Sequence, residues 1–185
     1  KPDQNILLVT GGGNGAESLN VLISEMVGDL VSDGWGIVHL AGRGKADSLR
    51  KKRQVMGKNE QKMWKIEEFI DMVPCMLASD VVVARTSAST LQEAANARKP
   101  VIGIPSPYLK DQQLNAQYFQ SKNAIVALDE TTVDVSELLI EIKKWGTHDA
   151  QSEKMASSLH RQFAKPNAAK ELSELIESCS VATQI

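Results

Sequence analysis

The stretch Ile6-Leu7-Leu8-Val9-Thr10-Gly11-Gly12-Gly13-Asn14-Gly15-Ala16 decides the fold. A short apolar run is followed by a glycine-rich turn, and then by a segment over 16–31 in which Leu19, Leu22, Ile23, Met26, Val27 and Leu30 recur at helical spacing. Strand, glycine turn and amphipathic helix, in that order, open a nucleotide-binding α/β unit. Gly11, Gly13 and Ala16 satisfy a loose GxGxx(G/A) pattern. Small residues there let a ligand approach the backbone, and the helix start offers unpaired N–H groups to an anion. A plain structural connection uses the same residues, so the turn alone leaves the ligand open.

The alternation continues outward from this unit. Apolar runs predict strands over 37–40, 63–66, 81–84, 101–104 and 124–128, with a turn at Gly57-Lys58-Asn59. Helical patterns fall over 47–56, 90–97, 112–122, 135–145, 150–163 and 168–179, and Asp71 is placed to cap a short helix that carries Pro74 in its first turn. Runs such as Val81-Val82-Val83 do not alternate with polar residues, which means burial on both faces. The expected fold is α/β: a Rossmann-like, doubly wound parallel sheet of about six strands. Ligands in such sheets bind at the carboxyl ends of the strands, which singles out the loops 11–15, 68–72, 85–90 and 105–115.

Composition narrows the class. The 185 residues suit one domain, and 21 basic against 23 acidic residues give a formal net charge of -2. That near balance offers no case for nucleic acid as a partner. Cys75 and Cys179 form neither a CxxC pair nor a metal-ligand cluster with His39, His148 and His160, so we read them as reduced thiols in a cytoplasmic protein. Residues 1–5 carry no targeting core, and no window reaches the length of apolar residues that a spanning helix requires. No metal site and no cofactor are expected.

Within the loops, individual residues have competing readings. Classical dinucleotide binding wants an acid after the second strand, and that place holds Ala41-Gly42-Arg43-Gly44; no Gly-Lys-Ser/Thr follows the glycine turn either. Ser89 or Thr90 caps the next helix, with Thr90 and Glu93 at capping-box spacing, or the same hydroxyls and N–H groups serve a phosphate. Glu93, one turn further, suits two hydrogen bonds from a ribose diol. Arg85 leaves an apolar strand, where it either binds an anion or braces the loop through backbone carbonyls. Gln112 and Asn115 suit sugar hydroxyls, or are exposed polar residues. Phe69-Ile70 suits a planar base, or Phe69 belongs to the core.

Together these blocks resemble the C-terminal domain of the bacterial MurG family of N-acetylglucosaminyltransferases. Gly11 to Ala16 with Leu19-Asn20 is close to that family's GGSxGAxxLN; the segment from Arg85 to Glu93 is similar to its RxGAxTxxE; and Gln112-x-x-Asn115-Ala116 matches its QxxNA. Phe69-Ile70-Asp71-Met72, Ala78-Ser79-Asp80, Pro100, Pro105 and Pro107 extend the match, which runs through Asn167-Ala168-Ala169. Gly13 stands where the family has serine, Ser87 where it has glycine, and Asp111 where a larger polar donor is usual.

The resemblance implies the C-terminal half of a GT-B fold whose donor is UDP-N-acetylglucosamine. It places Ile70 near the uracil, Ala88, Ser89 and Thr90 around the phosphates, and Glu93 at the ribose. Gln112 and Asp111 would address the sugar, and Gly13, Asn14, Gly15 and Ala16 the diphosphate. Transfer in that family inverts the anomeric carbon without a covalent intermediate. A base from an N-terminal acceptor domain acts on a lipid-linked muramoyl-peptide at the inner face of the membrane. We therefore expect residues 1–185 to be the donor-binding domain alone, with no catalytic base, since a two-domain enzyme needs roughly twice this length. The partner half would be joined in cis or be a separate chain. A UDP-sugar epimerase domain and a non-catalytic interaction module are the other readings.

Overall fold

The computed structural model describes residues 4–13 and 15–182. Its elements are β1 (Ile6–Thr10), α1 (Glu17–Ser32), β2 (Gly36–Leu40), α2 (Ala46–Gln54), α3 (Lys58–Met63), β3 (Trp64–Glu67), α4 (Met72–Ala78), β4 (Val81–Ala84), α5 (Ala88–Ala97), β5 (Val101–Gly103), α6 (Lys110–Ser121), β6 (Val126–Ala127), α7 (Val135–Trp145), α8 (Ala150–Phe163) and α9 (Ala168–Ala182). The six strands form one sheet in the order β3-β2-β1-β4-β5-β6. Every pairing is parallel, with Leu8 opposite Val38 on one side and Val82 on the other. This is the doubly wound sheet that the alternating pattern predicts.

The unbroken apolar strands work because successive side chains point to opposite faces, and both faces are covered. Leu7, Val9, Ile37, Val81, Val83, Ile102 and Ile104 pack with residues of α1, α2 and α7. Leu8, Leu40, Val82, Ala84 and Val101 pack with residues of α4, α5 and α8. Trp35, Trp64 and Trp145 fill the first layer, so the three tryptophans are spent in the core. Burying one such aliphatic side chain stabilises by roughly 1.5–3 kcal/mol.

Three local expectations are corrected. The turn at 57–59 is the start of α3, where the Glu60 carboxylate accepts from the N–H of Gly57 at 2.8 Å. The cap of α5 is Ser87, whose hydroxyl oxygen accepts from the N–H of Thr90, so the helix begins two residues before the expected Thr90. β6 is also shorter than the 124–128 run, with Ala124 and Ile125 buried ahead of it.

The winding reverses between β1 and β4: the chain runs outward through β2 and β3 on one side, and through β5 and β6 on the other. A crevice opens at such a switch point beyond the carboxyl ends of the strands.

Candidate functional site

A cleft of about 760 Å³ lies at that switch point. Thr10 and the glycine turn come from the end of β1, Leu40 from β2, residues 68–71 from the β3–α4 connection, Met72 and Val73 from the start of α4, and Arg85 and Ser87 from the end of β4. Ser89, Thr90 and Glu93 of α5, with Leu109 and Gln112 at the start of α6, close it. A second hollow of about 510 Å³, lined by Lys122, Trp145, Lys154 and Arg161 among others, draws on none of these loops.

The glycine turn is held in place by its neighbours. Gly15 has φ +66, and its Cα faces the Ala41 carbonyl so closely that a Cβ would stand 2.9 Å from the carbonyl carbon. Asn20, buried on α1, donates its amide to the same Ala41 oxygen at 3.0 Å. Its side-chain oxygen therefore accepts from His39, 2.9 Å away, which fixes the imidazole proton on Nε2. Burial lowers the His39 pKa to about 4, so the ring stays neutral. Ala16, the residue before α1, supplies no side-chain cap. The first-turn N–H groups of α1 thus lack a side-chain cap just behind the glycine turn, an arrangement suited to an anion.

Arg85 answers the question its position raised. One guanidinium nitrogen donates to the Ile104 carbonyl at 2.9 Å; the other donates to the Ser18 hydroxyl at 2.9 Å and to the Glu130 carboxylate. Ser18 also donates to Glu130. The pair is largely buried, with 7% and 14% side-chain exposure. Arg85 thus braces a carbonyl and is charge-compensated, although it still borders the cleft. Glu130 and Ser18 were missed by the sequence reading, because Asp129-Glu130-Thr131-Thr132 looks like a solvated turn and its contact with Arg85 is not local.

Cleft carboxylates outnumber cations. Asp71 caps α4 through the N–H of Val73. Glu68 accepts from the N–H of Gly44 at 3.0 Å and pairs with Arg50 at 3.6 Å. The Glu93 side chain makes no hydrogen bond or ion pair among the described residues, and burial pushes its pKa up. It is the carboxylate left available to hydroxyl donors. Gln112 is buried; its side-chain oxygen accepts from the N–H of Ser106 at 3.0 Å, which turns its amide nitrogen to the remaining side. Thr86, fully buried, donates to the Gln112 carbonyl at 2.7 Å, and Asn115 donates to the Thr86 carbonyl at 3.0 Å.

The cleft therefore gathers Gly13, Gly15, Phe69, Ile70, Arg85, Ser89, Thr90, Glu93 and Gln112. Asn14 lies outside the described residues. Ala16 is buried behind the turn, Ala88 and Asp111 are exposed beside the cleft, and Asn115 is turned toward Thr86 rather than outward. Phe69 is not a core residue: it is 84% exposed at the rim, while Ile70 packs partly into the core. Among the described residues no group of three or more His, Cys, Asp or Glu is arranged to hold a metal ion, and no helix is long and apolar enough to cross a membrane.

The family profile described as "Glycosyltransferase family 28 C-terminal domain" matches residues 6–172. A relative from Caulobacter vibrioides (strain NA1000 / CB15N), named UDP-N-acetylglucosamine--N-acetylmuramyl-(pentapeptide) pyrophosphoryl-undecaprenol N-acetylglucosamine transferase, is 35% identical over 176 residues, covering 92% of this chain and 48% of the relative. One of the same name from Gloeobacter violaceus is 26% identical over 181 residues, covering 96% and 49%. The chain thus spans about half the length of these relatives. Among solved structures, Acinetobacter baumannii MurG superposes with a TM-score of 0.75 at 22% identity, over 95% of this chain and 50% of that one. CalG4, the calicheamicin glycosyltransferase, gives 0.73 at 15% identity, over 94% and 42%. At these identities the superpositions speak to the fold.

Proposed function

Because the chain belongs to the glycosyltransferase family 28 C-terminal domain family, we propose that its cleft binds UDP-N-acetylglucosamine as the donor half of an inverting glycosyltransferase. The acceptor would be a lipid-linked muramoyl-peptide, as the names of the Caulobacter and Gloeobacter relatives describe. It would be held by an N-terminal-type domain, in cis or as a separate chain, at the cytoplasmic face of the membrane.

The observation that carries this reading is the arrangement of Glu93 against the glycine turn and the start of α5. Its carboxylate lacks a partner among the described residues and borders the same cleft as the turn that leads into α1 and the first turn of α5. A nucleoside diphosphate fits that pattern: N–H groups and helix dipoles for the phosphates, a carboxylate for the ribose diol, and the Ile70 segment for the base. Gln112 would then offer its amide nitrogen to a sugar hydroxyl.

Chemically, this half would hold the donor and stabilise departing UDP as negative charge builds on it, while the acceptor domain supplies the base. The anomeric carbon is attacked directly, so no nucleophilic Ser or Cys is called for. By itself the chain is expected to bind UDP or its sugar conjugate weakly and to transfer no sugar. Titration calorimetry tests the donor reading: UDP should bind measurably better than AMP or NAD, and equal affinities would overturn it.

A further inference from the structure

The cleft continues beside Gly13 into an annex of about 280 Å³, lined by Gly13, Arg43, Glu68 and Phe69. Three of these four residues also line the cleft itself; Arg43 is the addition. It comes from the β2–α2 connection, where a dinucleotide-binding fold would carry an acid, and no role in the donor site described above uses it.

The loop that carries Arg43 is tied to its surroundings. Gly42 and Gly44 on either side have φ +86 and +70, so the backbone turns sharply at this point. The Gly44 N–H is bound to the Glu68 carboxylate, and Lys45 donates to the Gly15 carbonyl at 3.3 Å. Ala41 is packed under Gly15 and bonded by Asn20. The β2–α2 connection and the glycine turn are therefore one assembly, and Arg43 keeps a set position beside Gly13.

Charge gives Arg43 its interest. Glu68, the one carboxylate among the described residues lining the annex, is already engaged by the Gly44 N–H and by Arg50. Arg43 itself is exposed and makes no ion pair or hydrogen bond among the described residues. The other guanidinium bordering the cleft, Arg85, is compensated by Glu130. Among the described lining residues of cleft and annex, Arg43 is thus the uncompensated cation, and it stands where the glycine turn presents open space: a Cβ at Gly13 would meet nothing within 4 Å. A guanidinium in that setting matches a phosphate in both charge and fork geometry.

We propose that Arg43 is a diphosphate-recognising residue, which takes an anionic group lying across Gly13 from the annex side. The diphosphate has two possible sources under the reading of this cleft as a donor site: the nucleotide itself, or a lipid-linked diphosphate acceptor brought over the rim. Exposed Phe69, on the same annex wall, gives the second source an apolar surface to lie against.

The test is calorimetric titration of the chain and its Arg43→Gln and Arg43→Lys variants with UDP, AMP, uridine, inorganic pyrophosphate and farnesyl diphosphate. Because Arg43 is exposed and unbonded, both variants should keep the wild-type circular dichroism spectrum and melting temperature. Arg43→Gln should weaken at least one diphosphate ligand by about tenfold while leaving uridine unchanged, with Arg43→Lys between the two. Loss confined to UDP assigns the donor; loss confined to farnesyl diphosphate assigns the acceptor. Unchanged affinity for all three diphosphates overturns the proposal, as does the absence of diphosphate binding by the wild type. If UDP shows no advantage over AMP while pyrophosphate binding still depends on Arg43, the donor reading fails and the role of Arg43 stands.

Discussion

Gly15 packs against the carbonyl group of Ala41, with no room for a side chain between them. A Cβ at Gly15 would lie 2.9 Å from both the carbonyl carbon and Gly42 Cα, and its φ of +66 is unfavourable for other residues. Two positions earlier, Gly13 faces open space. Gly15→Ala should therefore cost about 2–3 kcal/mol in urea unfolding, from strain and overpacking together. Gly13→Ser should change stability by less than about 0.5 kcal/mol, as surface substitutions do. In the donor reading, its added hydroxyl should maintain or strengthen UDP binding.

Glu93 couples stability to pH. Burial raises its pKa, so the folded chain holds this proton more tightly than the unfolded chain does. The sign follows: ionised Glu93 detracts from stability at neutral pH, and that penalty disappears as pH falls through the raised folded value. Glu93→Gln should therefore raise the melting temperature at pH 7 slightly, by about 1–2 °C. If the carboxylate receives the ribose diol, the same variant should weaken UDP severalfold and uracil not at all. Calorimetry on both ligands reads this directly, and equal losses would contradict the ribose role.

Arg85 and Glu130 should behave as a unit. Removing Glu130 alone leaves a buried guanidinium without its counter-charge, so Glu130→Ala should destabilise by about 3–5 kcal/mol. The double variant Arg85→Met, Glu130→Leu should recover much of that loss, since two apolar groups need no partner. A double-mutant cycle from chemical denaturation measures the coupling.

His39 predicts acid sensitivity with a defined window. Its folded pKa of about 4 lies below the ordinary 6.5, because burial disfavours the charged ring. Between those values the unfolded chain takes up a proton that the folded chain does not. Stability should be fully present above pH 6.5 and fall towards pH 4, by up to about 1.4 kcal/mol per pH unit from this residue. Denaturation curves at pH 7.5, 6 and 5 should show a shallower decline for His39→Asn than for the wild type.

How much of this was legible in the sequence depended on how local the cause was. The sheet was readable because runs such as Val81-Val82-Val83 need only two covered faces, and the glycine turn needs only its own residues. α3 was not, because Lys58-Asn59-Glu60-Gln61-Lys62 carries no apolar stripe and its start depends on Glu60 reaching back to Gly57. The cap of α5 falls on Ser87 rather than on Ser89 or Thr90, three hydroxyl residues within one turn that local sequence does not separate. The loops at the strand ends follow from topology, whereas the individual residues within them needed the motif resemblance. The partner of Arg85, 45 residues away, and the turning of Asn115 toward Thr86 belong to tertiary packing and left no local mark.

The most direct test of the donor-site account is an amide NMR titration of the isotopically labelled chain with UDP. Shifts should concentrate on the amides of Gly11 to Gly13, Gly15, Ile70 and the segment from Ser87 to Glu93, and AMP at the same concentration should move them less. Shifts centred instead on Lys122, Lys154 and Arg161 around the second hollow, or equal responses to UDP and AMP, would contradict it.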